Sequence, residues 1–319
     1  ITGSINQAIA GYDEEESEQL FQDNDTRKQY IGKAWETTEW IKTAREEAYV
    51  KWLTEQTDYT TTEFAVSYAN HVQDSFYEGI DYYADDNMLY VRAKMDTELN
   101  DEHFITVGVD SRLEEMRSKT MALEGVAAYE SDSFDYETRG VFVQDTWIPS
   151  DEVEIAMALR IDQVVADFVA PTKAGTEIDE VFVAPRVDVR YFHNDEFTSR
   201  FSAGRGYRAP LSFFETDHGI LDTEKGYKVD IDALEESLSA SYSLNYESEA
   251  LAFTLSVAHS SVENLASLEE TDAGVPLLTQ LEEKASVTTA DITVGYNITE
   301  NFTVNFGTEK FAYDDNFKS

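Results

Sequence analysis

Val153-Glu154-Ile155-Ala156-Met157-Ala158-Leu159-Arg160-Ile161-Asp162 is the stretch that decides the fold. Every second residue from Val153 to Ile161 is large and apolar, and Glu154, Ala156, Ala158, Arg160 and Asp162 stand between them. A period of two puts one set on one face of a strand and the other set on the opposite face. The same reading returns in Leu89–Asp96, in Ser237–Tyr246, where every second residue is Ser or Asn, and in Leu251–Ala258. Such runs last about 10 residues, against about 5–6 for an ordinary strand. A tilted strand that crosses a membrane needs about 9–11.

Working outward, the period predicts an all-β chain of about thirteen strands: 1–12, 44–53, 63–70, 87–96, 103–113, 138–147, 152–162, 181–192, 196–207, 237–246, 251–262, 286–297 and 302–313. Weak alternation from Lys28 to Ile41 leaves room for a further pair within 13–43. The connections alternate in length. Short ones fall at 54–62, 97–102, 148–151, 193–195, 247–250 and 298–301, with turn chemistry such as Asn100-Asp101 and His193-Asn194-Asp195. Long ones fall at 71–86, 114–137, 163–180, 208–236 and 263–285. In an up-and-down sheet, alternate connections lie at opposite ends. Tight turns at one end and long loops at the other are the asymmetry of an antiparallel transmembrane β-barrel. A water-soluble β-protein with one wet face is the rival reading of the alternation, and it has no reason to keep that asymmetry through five successive hairpins.

In a barrel, the apolar face meets lipid and the other lines the lumen. The second face collects Ser, Thr, Ala and Gly together with Arg92, Arg112, Arg160, Arg186, Arg190 and Arg200, with Asp96, Asp110, Asp162 and Asp188 as neighbours. A cation facing lipid at the midplane costs about 2–4 kcal/mol, which explains the segregation. These arginines either face a plug or solute, or form a self-satisfied network that stiffens the wall; the network is the preferred reading. Trp52, Tyr68, Trp147, Tyr191, Tyr207, Tyr246 and Tyr296 sit near strand ends, where an interfacial aromatic girdle belongs.

The 319 residues carry 64 Asp and Glu against 24 Lys and Arg, a net charge of −40, so a nucleic-acid partner is excluded. At 13% aromatic residues, with 18 Tyr, 18 Phe and 4 Trp, the chain folds despite that charge. There are no cysteines, which removes disulfides, thiolate-held zinc and thiol catalysis. No apolar run reaches the length of a transmembrane helix, and the chain opens at Ile1 without a signal core, as a mature protein or a fragment does. Acid gathers in the long loops, as at Asp74, Glu78, Asp81, Asp85 and Asp86. Those carboxylates suit hydration of an exposed surface, and secondarily Ca2+ or another cation; no other cofactor is expected.

Enzymatic motifs are missing. His71, His103, His193, His218 and His259 show no metal-ligand spacing, and there is no nucleophile elbow, P-loop or His-Glu-x-x-His. Gly204-Arg205-Gly206 ends a β-run and leads to Pro210, not to a helix, so it is no phosphate loop.

Arg200-Phe201-Ser202-Ala203-Gly204-Arg205-Gly206-Tyr207-Arg208-Ala209-Pro210 resembles the barrel signature of TonB-dependent outer-membrane receptors. Asn70–Tyr77, Gly140-Val141-Phe142-Val143-Gln144-Asp145-Thr146-Trp147, Leu159-Arg160-Ile161-Asp162, Ala184-Pro185-Arg186-Val187 and Glu236-Ser237 resemble further segments of that barrel in the same order, over roughly 45–265. The resemblance implies part of a 22-stranded barrel. It implies a Gram-negative outer membrane, lipid around the wall, and uptake of a scarce solute of the siderophore, cobalamin, haem or oligosaccharide class. It further implies TonB-derived energy, delivered through a plug, and admits a surface lipoprotein as partner. No plug-like segment, TonB box or C-terminal aromatic strand is read in the sequence, so the barrel portion alone is expected. On this reading the arginines above face the lumen and plug. Tyr207, Arg208, Phe213 and Phe214, with Tyr82 and Tyr83, stand at the ligand mouth. Two alternatives remain open: a soluble or surface-attached acidic β-protein that binds glycan or calcium, and a passive porin or structural barrel.

Overall fold

A computed structural model describes residues 2–9, 39–77, 80–120, 133–169, 176–211, 228–270 and 276–316. The main strands are β1 (Thr2–Ile9), β2 (Glu39–Thr57), β3 (Thr60–Tyr77), β4 (Ile80–Asn100), β5 (His103–Thr120), β6 (Phe134–Ser150), β7 (Val153–Phe168), β8 (Glu177–Phe192) and β9 (Phe197–Arg208). After a two-residue β10 (Lys228–Val229) come β11 (Glu235–Glu247), β12 (Leu251–Glu263), β13 (Ala266–Glu270), β14 (Pro276–Gln280), β15 (Ala285–Thr299) and β16 (Phe302–Tyr313). Thirteen of them form one antiparallel sheet in the order β1 to β9, β11, β12, β15, β16. The up-and-down topology and all thirteen expected strands are present. A separate three-stranded sheet, β10-β14-β13, was not foreseen.

The tight turns stand where turn chemistry put them. Asn100 accepts the N–H groups of Glu102 and His103 at 2.9 and 3.0 Å, and Asn194 does the same for Glu196 and Phe197 at 3.0 and 2.9 Å. These side-chain caps close the hairpins β4–β5 and β8–β9.

The strands are longer than their alternation. β3 runs to Tyr77 and β4 restarts at Ile80, so 71–86, expected as a long loop, is almost wholly a hairpin. The expected loops at 114–137 and 163–180 likewise begin and end as strand, and 263–285 holds β13 and β14. Asp74, Asp85, Asp86 and Glu114 therefore sit on strands and not in loops. The physical reason lies in the register. Large apolar side chains on the outer face stop at one level, and the next outward positions are Asn70, Asn87, Glu115, Arg139, Gln163 and Asp179. Below that level the outer face meets lipid and must be apolar. Above it both faces are free of lipid, so the backbone ladder continues while the pattern that revealed it ends.

The outer band is bare and apolar, with Val141, Val143, Met157, Leu159, Val183 and Phe201 all exposed. The buried core lies on the opposite, inner face, and only near the loop end. Met116, Phe134, Val164, Ala166, Phe168, Ile178 and Phe182 of β5–β8 pack there against Leu211, Ile231, Leu234 and Leu278. The last four belong to an inward-folded roof made of 209–211, 228–235 and the small sheet. Gln280 knits the roof together. Its Oε1 accepts the N–H groups of Asp232 and Ala233 at 3.2 Å, and its Nε2 donates to the carbonyls of Ala233 and Asn264 at 3.0 and 2.8 Å.

Candidate functional site

All six arginines expected on one face share it. The pairs Arg92↔Asp110, Arg112↔Tyr90, Arg160↔Ala184, Arg186↔Gly204 and Arg190↔Arg200 tie them to the inner side of β4, β5, β7, β8 and β9. Arg160 is the hub. Its Nη1 and Nη2 fork onto both oxygens of Asp110 at 2.8 and 2.7 Å, and its Nε donates to Asp162 at 2.7 Å. Arg160 stands on β7 and Asp110 on β5, so the guanidinium must cross β6. It crosses at Gly140, where a Cβ would collide with both the Arg160 guanidinium and the Asp162 carboxylate. A bidentate pair of this kind fixes geometry as well as charge. Tyr90 adds a hydroxyl to Asp110 at 3.4 Å.

Neighbouring strands repeat the arrangement. Glu63 of β3, 3% exposed, is clasped by Lys51 of β2 at 2.7 Å and Arg92 of β4 at 2.5 Å. Arg186 binds Asp188 at 2.7 Å, and Asp188 also accepts from Ser202 at 2.5 Å. Arg190 reaches Glu154 at 3.3 Å. Arg200, opposite Arg190 in the ladder, makes no ion pair among the described residues, and the two line a hollow of about 210 Å³. The stiffening network is thus the main state of these arginines, with Arg200 left over. Sequence reasoning missed Glu63, set in the run Thr60-Thr61-Thr62-Glu63, and missed the need for Gly140. The only signal for the latter was a glycine inside a strand pattern, which marks a close approach.

Across β9, β11 and β12 the inner face changes. Ser202, Gly204, Gly206, Ser237, Ser239 and Ser260 line a shallow trough of about 470 Å³, and Ser239 and Ser260 share a hydrogen bond at 2.8 Å.

Under the roof lies a cleft of about 390 Å³ lined by Arg112, Glu114, Phe134, Tyr136, Tyr207, Arg208, Ala209, Pro210 and Leu211. That volume lies within the range that holds small solutes. Of the expected mouth residues, Tyr207 and Arg208 are here. The Tyr207 ring packs on Phe182 with centroids 4.8 Å apart, and Arg208 binds Glu235 at 2.5 Å. Tyr82 does not join them. It is buried on the inner face at the loop end of β4, while Tyr83 points outward and is exposed. Phe213 and Phe214 lie outside the described residues.

Arg112 pairs with Glu114 and covers the Tyr136 ring, 5.4 Å from its centroid. Burial holds the Glu114 carboxyl above the usual carboxylate range, with Arg112 only partly opposing it, and burial does the same to Asp86. The Tyr207 and Tyr136 hydroxyls are pushed up by burial too, so both stay neutral. Among the described residues no three His, Asp or Glu side chains converge as a cation site.

A wall of long antiparallel strands, apolar outside, ion-paired inside and tightly turned at one end, defines an outer-membrane β-barrel. Residues 3–317 match the family model for the TonB dependent receptor-like β-barrel, and the chain belongs to that family. No curated protein sequence matches it. Among solved structures, the FrpB iron transporter from Neisseria meningitidis (F5-1 variant) superposes with a TM-score of 0.70 at 11% identity, over 98% of this chain and 49% of that one. The siderophore receptor PirA from Pseudomonas aeruginosa gives 0.66 at 13% identity, over 88% of this chain and 52% of that one. The alcaligin outer membrane receptor FauA from Bordetella pertussis gives 0.61 at 12% identity, over 87% and 47%. Identities this low carry the fold alone. The chain spans about half the length of these structures.

Proposed function

We propose that the chain forms part of the wall and mouth of a receptor that takes up a scarce solute across the outer membrane. The solute belongs to the siderophore, cobalamin, haem or oligosaccharide class, and energy comes from the TonB complex through a plug. The observation that carries this reading is the roof. A passive porin keeps a water-filled lumen. Here Leu211, Ile231, Leu234 and Leu278 close an apolar core over the inner wall and leave a cleft of solute size beneath it. The bare outer band argues against the acidic surface protein, since so much exposed apolar area is incompatible with life in water.

The test uses the full-length protein. Reconstituted in planar bilayers it is expected to give no steady open conductance. Uptake of a panel of ferric siderophores, cobalamin, haem and oligosaccharides in cells is expected to depend on TonB. A stable open pore, or uptake of a panel member that persists without TonB, overturns the receptor reading. A compact monomer that needs no detergent overturns the barrel itself.

A further inference from the structure

The outward face of the wall carries one exception to its apolar rule. Below the level of Glu115, Arg139, Gln163 and Asp179, Asp145 is the single carboxylate at the outward positions of β4–β8 among the described residues. It stands between Val143 and Trp147 on β6, beside Ile105 of β5 and Met157 of β7. An ionisable side chain set against lipid is costly and calls for a partner.

The wall supplies part of that partner. His103 opens β5 and stands opposite Trp147 in the ladder. Its Nδ1 lies 2.8 Å from Asp145 Oδ2, and its ring stacks on the Trp147 indole, with centroids 5.8 Å apart and planes 1° from parallel. The three side chains form one block on the outer surface. By reaching His103, the carboxylate leans toward the tight-turn end, where an aromatic girdle meets the headgroups.

The block leaves two polar atoms unmet. Asp145 Oδ1 and the Trp147 indole N–H have no hydrogen-bond partner, although both are shielded from bulk water. The other shielded atoms without a partner among the described residues, on Asp86, Arg92, Arg112 and Asp162, all belong to the inner face. An orphaned polar atom points to a group that the protein itself does not supply. Here the two needs are opposite. A carboxylate oxygen takes a donor, best a cationic one, and an indole N–H takes an acceptor, best an anionic one. The carboxylate is 23% exposed and the imidazole 31%, so both can be reached from the lipid side.

We propose that Asp145, His103 and Trp147 form a headgroup site for a phospholipid with a primary ammonium, of the phosphatidylethanolamine type. The ammonium donates to the Asp145 carboxylate, and the phosphate accepts from the Trp147 indole. One zwitterionic headgroup carries both groups close enough to bridge neighbours on one strand face, about 7 Å apart along the backbone. A choline headgroup has no N–H, and a glycerol headgroup has no cation, so neither meets both atoms. The site needs the barrel and is independent of which solute is taken up.

The test uses the full-length protein, stripped of lipid in detergent, and native mass spectrometry of the lipid it retains. Four dioleoyl lipids serve as probes: phosphatidylethanolamine, its N-methyl and N,N-dimethyl forms, and phosphatidylcholine. The series keeps the phosphate and the positive charge and removes the N–H donors one at a time. Retention is expected to fall along it, with phosphatidylcholine about tenfold below phosphatidylethanolamine, as for one lost hydrogen bond to a charged group. Asp145→Leu puts an ordinary lipid-facing residue in place of the acceptor. It is expected to level the series while keeping retention of phosphatidylcholine. Trp147→Phe keeps an aromatic ring, removes the N–H and is expected to lower all four about equally. A flat series in the parent protein overturns the site and assigns the two atoms to water; it needs no variant, so it holds if a variant fails to fold. A slope that survives in Asp145→Leu, or unchanged retention in Trp147→Phe, overturns it as well.

Discussion

The two halves of β7 face opposite ways in their chemistry while sharing one unbroken ladder. From Val153 to Ile161 the large apolar residues hold odd positions and face outward, with Met157, Leu159 and Ile161 exposed. From Asp162 to Phe168 they move to even positions, and Val164, Ala166 and Phe168 are buried inward. No register shift separates the halves, since β6 and β8 stay paired through the change. What changes is the surroundings. The lower half stands between lipid and a polar interior, so apolar groups go out. The upper half stands between water and the roof, so apolar groups go in.

The contrast can be broken at its strongest point first. Gly140→Val drives a side chain into the Arg160–Asp162 crossing and strands charges in the lower wall. The expected cost is about 3–5 kcal/mol, read as loss of the heat-modifiable folded band of the full-length protein. Gly307→Val, on the same face of β16 where the nearest atom is 3.8 Å from the added Cβ, is expected to keep that band.

In the upper half, Ile178→Ala removes a fully buried side chain and is expected to cost about 2–5 kcal/mol. Exchange protection is lost across 228–234, while β2–β4 keep theirs. An equal loss in β2–β4 would mean the two halves are one cooperative unit. Met157→Arg and Gln163→Arg sharpen the boundary between lipid and water. Both face outward on β7, six residues apart. The first is expected to cost about 2–4 kcal/mol and the second about 0–1 kcal/mol, measured by folding into vesicles. Equal costs would place the boundary elsewhere.

The smallest effect is with pH. Glu114 and Asp86 have folded values raised by burial, so the upper wall binds protons more readily folded than unfolded. Their stabilising contribution is complete below the ordinary carboxylate range and is lost as pH rises through the raised folded values. Mild acid should therefore raise the thermal midpoint relative to pH 7, and Glu114→Gln should flatten that gain. A gain of the same size in the Glu114→Gln protein would assign it to other groups.

The lower half was almost fully legible. Val153–Asp162 located its strand and its faces. Arg92, Arg112, Arg160, Arg186, Arg190 and Arg200 were placed on one side by parity alone. Tyr207 and Arg208 were found through a motif, and both line the cleft. The upper half was misread as loops because its apolar side chains shift to the inward parity above the lipid level, as at Val164, Ala166 and Phe168, so the alternation that marks the lower strand does not continue through it. Tyr82 was misplaced for the same reason. Counted as a loop residue, it is a strand residue buried on the inner face.

Period two, charge segregation and turn residues act between near neighbours, and they determined the strands, their order and the lipid face from the sequence alone. The crossing of Arg160 over Gly140, the clasp of Glu63 and the folding of 228–235 onto β5–β8 each join residues distant in the chain. Only the tertiary structure decided these, because they depend on which strand lies beside which and on how far a side chain must reach across it.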